Sequence, residues 1–201
     1  MAPSKVEPRL IKAAISLFGD FGYKSVTIKD LAEKADCEEW NIYRLFGGKE
    51  GLYKRAIEVV VKSASDDMAG FALHLFSSGA QRNVEPRKLV STVVHHWYSS
   101  LSLSGARLIL QARMDKSQKV QADVPLGLVV GIIENILEPS SKTSRKGQSG
   151  TRTRAELLVK ALLDLKVTYP AGKETAYSGR KELDEVNRYL QEWLGTIDWK
   201  Q

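Results

Sequence analysis

The stretch from Thr27 to Lys49, TIKDLAEKADCEEWNIYRLFGGK, constrains this chain more than any other. It fits two short amphipathic helices separated by a turn. The first is expected over residues 28–34, because Ile28, Leu31, Ala32 and Ala35 recur at one-face helical spacing. Thr27 stands where an N-cap hydroxyl satisfies an orphan backbone N–H. The second is expected over residues 38–46, with Ile42, Leu45 and Phe46 inward and Asp36-Cys37 as the turn. Helices this short do not hold together alone in water. A third helix is expected over residues 8–21, burying Leu10, Ala14, Leu17, Phe18 and Phe21. Gly22 then suits the left-handed position that ends a helix. Residues 1–8, with Pro3 and Pro8, are expected to fray.

Such a pair of helices is a helix-turn-helix candidate. With its flanks, from Leu10 to Arg55, it resembles the DNA-binding domain of TetR-type transcriptional repressors. Ala14, Leu17-Phe18, Gly22-Tyr23, Thr27, Leu31-Ala32, Ala35, Ile42-Tyr43, Phe46, Lys49-Glu50 and Leu52-Tyr53 carry the resemblance without a gap. It covers roughly the first quarter of the chain. It implies an all-α fold: a three-helix head, residues 1–48, on a larger helical body for ligand binding and dimerisation, residues 49–201. About nine or ten helices are expected in all.

A helix in the major groove reads bases with outward side chains near its N-terminus. Here those positions are Glu39, Trp40, Asn41 and Arg44. Arg44 matches a guanine edge, and Asn41 matches either an adenine edge or a phosphate. Glu39 can accept from a cytosine amino group. Trp40 either packs on a thymine methyl or sugar, or turns in to cover Cys37. Thr27, with the helix N-terminus behind it, can hold a phosphate. The resemblance implies that Tyr43 and Lys49 also grip phosphate.

The sequence departs from the family pattern at four places. Asp36 stands where the turn usually has Gly, Glu38 where a small hydroxyl caps, Trp40 where a small residue sits, and Leu45 where His or Tyr is usual. Residues 1–55 hold 10 basic and 8 acidic residues, a thin surplus for a surface that meets phosphate. Glu38 and Glu39 add carboxylates there, partly offset by the helix N-terminus at ~0.3–1 kcal/mol per charge.

After Gly47-Gly48 a long helix is expected from Lys49 toward Met68 or beyond, the connecting lever of the resembling repressors. Residues 77–85 read as a polar loop, and Pro86 suits the first turn of a helix reaching Leu103. A break is expected at Ser104-Gly105, a short helix over residues 106–115, and a strongly apolar helix over residues 126–137 opened by Pro125. The basic, Ser- and Gly-rich segment from Pro139 to Arg154 is expected to be a mobile loop. Helices over residues 155–167 and 181–194 close the chain.

The 201 residues suffice for one sizeable core or two small domains, and 43% apolar with 27% charged residues is ordinary for a globular protein. The formal charge of +6 is compatible with nucleic acid or another anionic partner. The single Cys37 excludes an intrachain disulfide and suits a reducing compartment. The apolar run from Leu126 to Leu137 is too short for a bilayer and no signal peptide precedes Arg9, so a cytoplasmic protein without a membrane partner is expected. His95 and His96 are adjacent on a helix and diverge, so no metal site is expected, and no cofactor either. No nucleophile–base pair or phosphate loop stands out, which argues against an enzyme.

The expected partners are a double-stranded DNA operator, a second copy of the chain and a small-molecule effector. Pocket candidates are Phe71, Leu75, Trp97, Leu101, Leu108, Met114, Leu128 and Ile132, with His96, Tyr98 and Arg107 as polar groups that orient a ligand. The resemblance, together with the apolar stripes of the last two helices, implies a dimer interface at Leu158, Leu162, Leu165, Val186, Leu190 and Trp193. The alternative is a helical ligand-binding or protein-interaction dimer whose head no longer binds DNA.

Overall fold

The computed structural model describes residues 3–77, 79, 84–115, 119–137, 145–168, 188, 190–192 and 195. Among these residues the fold is all-α, as expected. The helices are α1 Pro3–Phe21, α2 Ile28–Lys34, α3 Trp40–Phe46, α4 Lys49–Ser77, α5 Pro86–Ser100, α6 Leu103–Met114, α7 Lys119–Leu137 and α8 Arg145–Thr168.

Several boundaries differ from the sequence reading, each for a local reason. Helix α1 begins at Pro3 and passes through Pro8. Pro8 lies in the second turn and removes one helical hydrogen bond. Burial of Val6 on the same helix opposes that loss. At the other end Phe21 is 65% exposed rather than inward. Helix α6 starts before the expected break, because Ser102 caps it by accepting from the Gly105 N–H at 3.1 Å. Pro125 lies inside α7 and does not open it. Residues 145–154 of the expected loop are the first turns of α8. Arg152 there pairs with Glu156 one turn on, at 3.2 Å, and with Glu134 of α7, at 3.4 Å. Of the expected helix over residues 181–194, the described positions 188 and 190–192 are helical, and the rest lies outside the described residues.

The chain divides into two compact units: Met1–Asp66 with Leu101–Pro125, and Asp67–Ser100 with Leu126–Gln201. The expected boundary at residue 48 falls inside the first unit.

In the first unit α6 packs on α1. Gly19 makes this possible, since a Cβ there would collide with the Ser104 backbone carbonyl. Polar ties surround the crossing. Ser104 Oγ and the Arg107 guanidinium donate to Asp20 at 3.0 and 3.1 Å, and Gln111 Nε2 donates to the Gly19 carbonyl at 3.3 Å. Leu10, Phe18, Leu31, Ile42, Leu52 and Ile57 form the buried apolar centre.

In the second unit α5 packs on α8. Val90, Val93, Val94, Trp97, Ile133, Leu158 and Leu162 are buried there. Lys166 of α8 donates to the Tyr98 carbonyl at 2.6 Å, and its ammonium lies 4.3 Å over the Tyr98 ring.

Candidate nucleic-acid interface

Helices α2 and α3 are the two short helices read from the sequence. Thr27 begins α2 with a reciprocal cap: its Oγ1 accepts from the Asp30 N–H at 3.1 Å, while Asp30 Oδ2 accepts from the Thr27 N–H at 2.8 Å. Hydrogen bonds from Thr27, side chain first and backbone second, hold the Asp30 carboxyl below the usual range. Lys29 and Lys49 lower it further.

The turn is tight. The Cys37 N–H reaches the Ala32 carbonyl at 3.0 Å, and Asp36 takes a left-handed φ of 49°. Asp is among the few L-residues that tolerate this region. Arg9 of α1 fixes it, donating to Asp36 Oδ2 at 3.0 Å and to the Asp36 carbonyl at 2.7 Å. Burial pushes the Cys37 thiol up from its ordinary range, against the opposing pull of Arg9.

Helix α3 starts at Trp40, two residues later than expected. Glu39 is its N-cap and makes no side-chain capping bond, so both Glu38 and Glu39 remain exposed. Gly47 ends it with a φ of 72°. Gly51 lets α4 begin against the end of α3, since a Cβ at Gly51 would collide with the Phe46 carbonyl. Ile42 is fully buried beneath α3.

The outward side of α3 carries two large aromatics, Trp40 and Tyr43, each 56% exposed. Trp40 is therefore not a cover for Cys37. Arg44, also exposed, stands one turn after Trp40 and places its guanidinium carbon 4.8 Å over the Trp40 ring. Asn41 was expected among the outward residues but is 7% exposed. Its Nδ2 donates to the Glu38 carbonyl at 3.2 Å, and its Oδ1 accepts from Arg44 at 3.3 Å. At 7% exposure, with one donor and one acceptor already engaged inside the head, this amide is turned away from a base edge. Asn41 instead braces the start of α3 and the guanidinium of Arg44.

Lys49 begins α4, half-buried, with its ammonium 4.4 Å over the Tyr23 ring. Tyr23 packs with Phe18 and Tyr53, with centroids 4.8–5.7 Å apart. Burial pushes the Tyr53 hydroxyl above its ordinary range. Thr27, Glu39, Trp40, Tyr43 and Arg44 thus all lie exposed on α2 and α3 or at their starts, with Lys49 partly exposed beside them.

The expected pocket residues do not share one unit. Arg107 and Leu108 belong to the first, with Arg107 paired to Asp20 and Leu108 buried. Phe71, His96, Trp97, Tyr98, Leu128 and Ile132 belong to the second. There Trp97, Tyr98 and Ile132 are buried core, and Leu128 is exposed. Phe71 and His96 do meet: their rings stack at 4.1 Å, and His96 Nε2 lies 2.8 Å from Asp67 Oδ2. Asp67 was missed because one carboxylate on a long helix gives no sequence signal.

Of the expected dimer residues, Leu158, Leu162 and Leu190 are buried within this chain. Val186, Trp193 and the side chain of Leu165 lie outside the described residues. Among the described residues no group of side chains has the spacing of a metal site, and no helix is long and apolar enough to cross a membrane.

A capped short helix, a left-handed turn and a second short helix with an exposed aromatic and basic side define a helix-turn-helix protein. Residues 10–56 match the family described as bacterial regulatory proteins, tetR family. No curated protein matches the chain. Among solved structures, a TetR-like transcriptional regulator from Rhodococcus sp. RHA1 is similar at TM-score 0.68 and 15% identity, covering 95% of this chain and 96% of that one. A transcriptional regulator from Saccharomonospora viridis, solved in complex with choline, is similar at TM-score 0.67 and 17% identity, covering 96% and 97%. A regulator of the TerR/AcrR family from Aquifex aeolicus VF5 follows at TM-score 0.58 and 18% identity, covering 96% and 99%. Residues 10–56 thus match the tetR family by sequence, and along its length the chain is similar in fold to these regulators.

Proposed function

We propose that this protein is a repressor that binds a palindromic DNA operator as a dimer and leaves it when a small-molecule effector binds. The observation that carries this reading is the exposed side of α3. Trp40, Tyr43 and Arg44 face solvent on a helix whose opposite side is anchored by the fully buried Ile42. Large aromatics exposed beside a guanidinium have no structural use on an isolated head, and they fit a groove. The head of residues 1–48 reads DNA, and the body from residue 49 onward serves the ligand and the dimer.

Arg44 supplies guanine recognition, and Glu39 accepts from a cytosine amino group. Thr27, Tyr43 and Lys49 set register on phosphates and carry no sequence information. Lys49 leaves the Tyr23 ring to do so, exchanging one weak contact for a charge-assisted one. A single head makes too few contacts for useful specificity. Two copies with half-sites about 34–36 Å apart supply it. Leu157 of α8, 62% exposed, is an apolar side chain that a second copy can cover.

Effector control follows from linkage. A ligand that prefers the arrangement in which the two heads miss the operator lowers DNA affinity by its differential binding energy. The Phe71–His96–Asp67 cluster offers a flat face and a polar pair for orienting a ligand in the body. The choline-bound regulator of similar fold supports a small-molecule site, though at 17% identity it does not name the effector here. The protein acts in the cytoplasm and by binding, not catalysis.

The test is selection of bound fragments from a random DNA pool by the full-length protein, repeated with candidate effectors. An inverted-repeat sequence enriched without effector and lost with it supports the proposal. Enrichment of nothing overturns it and favours the alternative of a head disabled by the exposed carboxylates Glu38 and Glu39.

A further inference from the structure

Trp40 and Arg44 are one object on the surface of α3. They stand one helical turn apart, and the guanidinium carbon lies 4.8 Å over the indole. Asn41, itself buried, accepts from Arg44 and fixes the guanidinium from behind. An arginine so held loses less freedom when it docks than a solvated one does.

The stacking has a geometric consequence in a groove. A guanidinium that bonds guanine O6 and N7 lies in the plane of that base pair. The Trp40 ring, its centre 4.8 Å from the guanidinium carbon, is then carried within reach of the neighbouring base pair, one rise of ~3.4 Å away. Its edge therefore meets the major-groove edge of the neighbouring pair. That edge is mostly C–H, so it leaves donors and acceptors of adenine, guanine or cytosine without a partner. The C5-methyl of thymine is the one apolar group a base pair presents in the major groove.

We propose that Trp40 and Arg44 together read a two-base-pair step, Arg44 taking guanine and Trp40 taking the C5-methyl of the pyrimidine in the adjacent pair. This rests on the DNA-binding reading above and specifies what the head selects. Trp40 is here a specificity residue that stands where the family has a small side chain, so the step is a property of this chain. 5-Methylcytosine presents the same methyl as thymine and satisfies the same reader, whereas uracil and cytosine do not.

The experiment uses the full-length protein and the strongest fragment from a random-pool selection, measured by fluorescence anisotropy at fixed salt. Each thymine beside a selected guanine is replaced in turn by deoxyuridine, which removes only the methyl. At one position per half-site the wild type is expected to lose about fourfold per methyl, the worth of one buried methyl group. Trp40→Ala should bind thymine and uracil fragments alike, and Trp40→Phe should keep part of the difference. Circular dichroism checks the fold of each variant, which exposure of Trp40 should leave intact. Arg44→Ala should lose preference for the guanine. Equal affinity of the wild type for thymine and uracil at every position overturns the composite reader while leaving DNA binding in place. An unchanged thymine-to-uracil ratio in Trp40→Ala assigns the methyl to another side chain and overturns it as well. Failure of the pool to yield any bound sequence overturns the DNA-binding reading itself, and the step reader with it.

Discussion

Arg9 of α1 grips Asp36 of the interhelical turn at two points, its carboxylate at 3.0 Å and its backbone carbonyl at 2.7 Å. Asp36 is the described non-glycine residue with positive φ, at 49°. The family pattern has glycine here, which takes this conformation without strain. In this chain a charged clamp from the first helix stands in for glycine's freedom. Asp36→Ala keeps a Cβ in the left-handed region and removes the carboxylate, so a loss of about 1–2 kcal/mol is expected in urea unfolding. Asp36→Gly relieves the strain while Arg9 keeps the carbonyl, so its loss should be smaller than that of Asp36→Ala. The Asp36 side chain is 84% exposed, so little of the stability comes from the ion pair itself. The reverse order of the two variants contradicts backbone strain at position 36.

Gly19 lies where α1 and α6 approach so closely that a Cβ would collide with the Ser104 carbonyl. Backbone meets backbone there, so neither side can yield by turning a rotamer. Gly19→Ala is expected to cost about 1–3 kcal/mol, the range for overpacking. The thermal midpoint of the full chain measures it. Gly127→Ala on α7, where a Cβ has open space, is the control and should be neutral or slightly stabilising.

The Thr27–Asp30 cap has a defined acid dependence. Hydrogen bonding from Thr27 lowers the folded-state pKa of Asp30 below its unfolded value. The unfolded state thus takes up the proton first as pH falls. The contribution is complete above the ordinary carboxylate value of about 3.9 and is lost as pH drops through the lower folded value. Stability at pH 3 relative to pH 7 should therefore fall less in Asp30→Asn than in the wild type. Thr27→Ala removes the cap outright and should lose about 1 kcal/mol at pH 7.

Cys37 sits in the turn with its thiol pushed up by burial. A higher pKa means less thiolate at neutral pH, so alkylation by iodoacetamide at pH 7.5 should be slower than for free cysteine. Urea should restore the ordinary rate. A folded-state rate equal to that of free cysteine contradicts the burial.

Much of the head was legible because its signals are local. The spacing of Ile28, Leu31 and Ala32, the Thr27 cap and the Gly47 stop act within one turn of chain, and α2 lies where they put it. The limits of α1, α7 and α8 were misread because proline and low apolar content are weak evidence against packing. Val6 outweighs Pro8, and Arg152 with Glu156 and Glu134 supports helix in a segment that looks like a linker. Asn41 was misplaced for a related reason. An amide suits a base edge in the abstract, but Asn41 lies beside the buried Ile42 and one turn before the half-buried Leu45, on the covered side of α3. The interface leucines raise a different point. An apolar stripe such as Leu158 and Leu162 shows that a face is covered, but not whether the cover is the same chain or another.

The account stands on the outward side of α3 meeting DNA, and the slope of affinity against salt measures that directly. The fragment recovered from the random pool is titrated with full-length protein across 50–200 mM salt, in parallel with the Tyr43→Phe, Lys49→Ala double variant. The wild type should show a steep linear fall of log K with log salt, and the variant should bind every sequence more weakly with a slope about one unit shallower, for the lost Lys49–phosphate contact. A salt-independent wild type, or a variant indistinguishable from it, would contradict the claim.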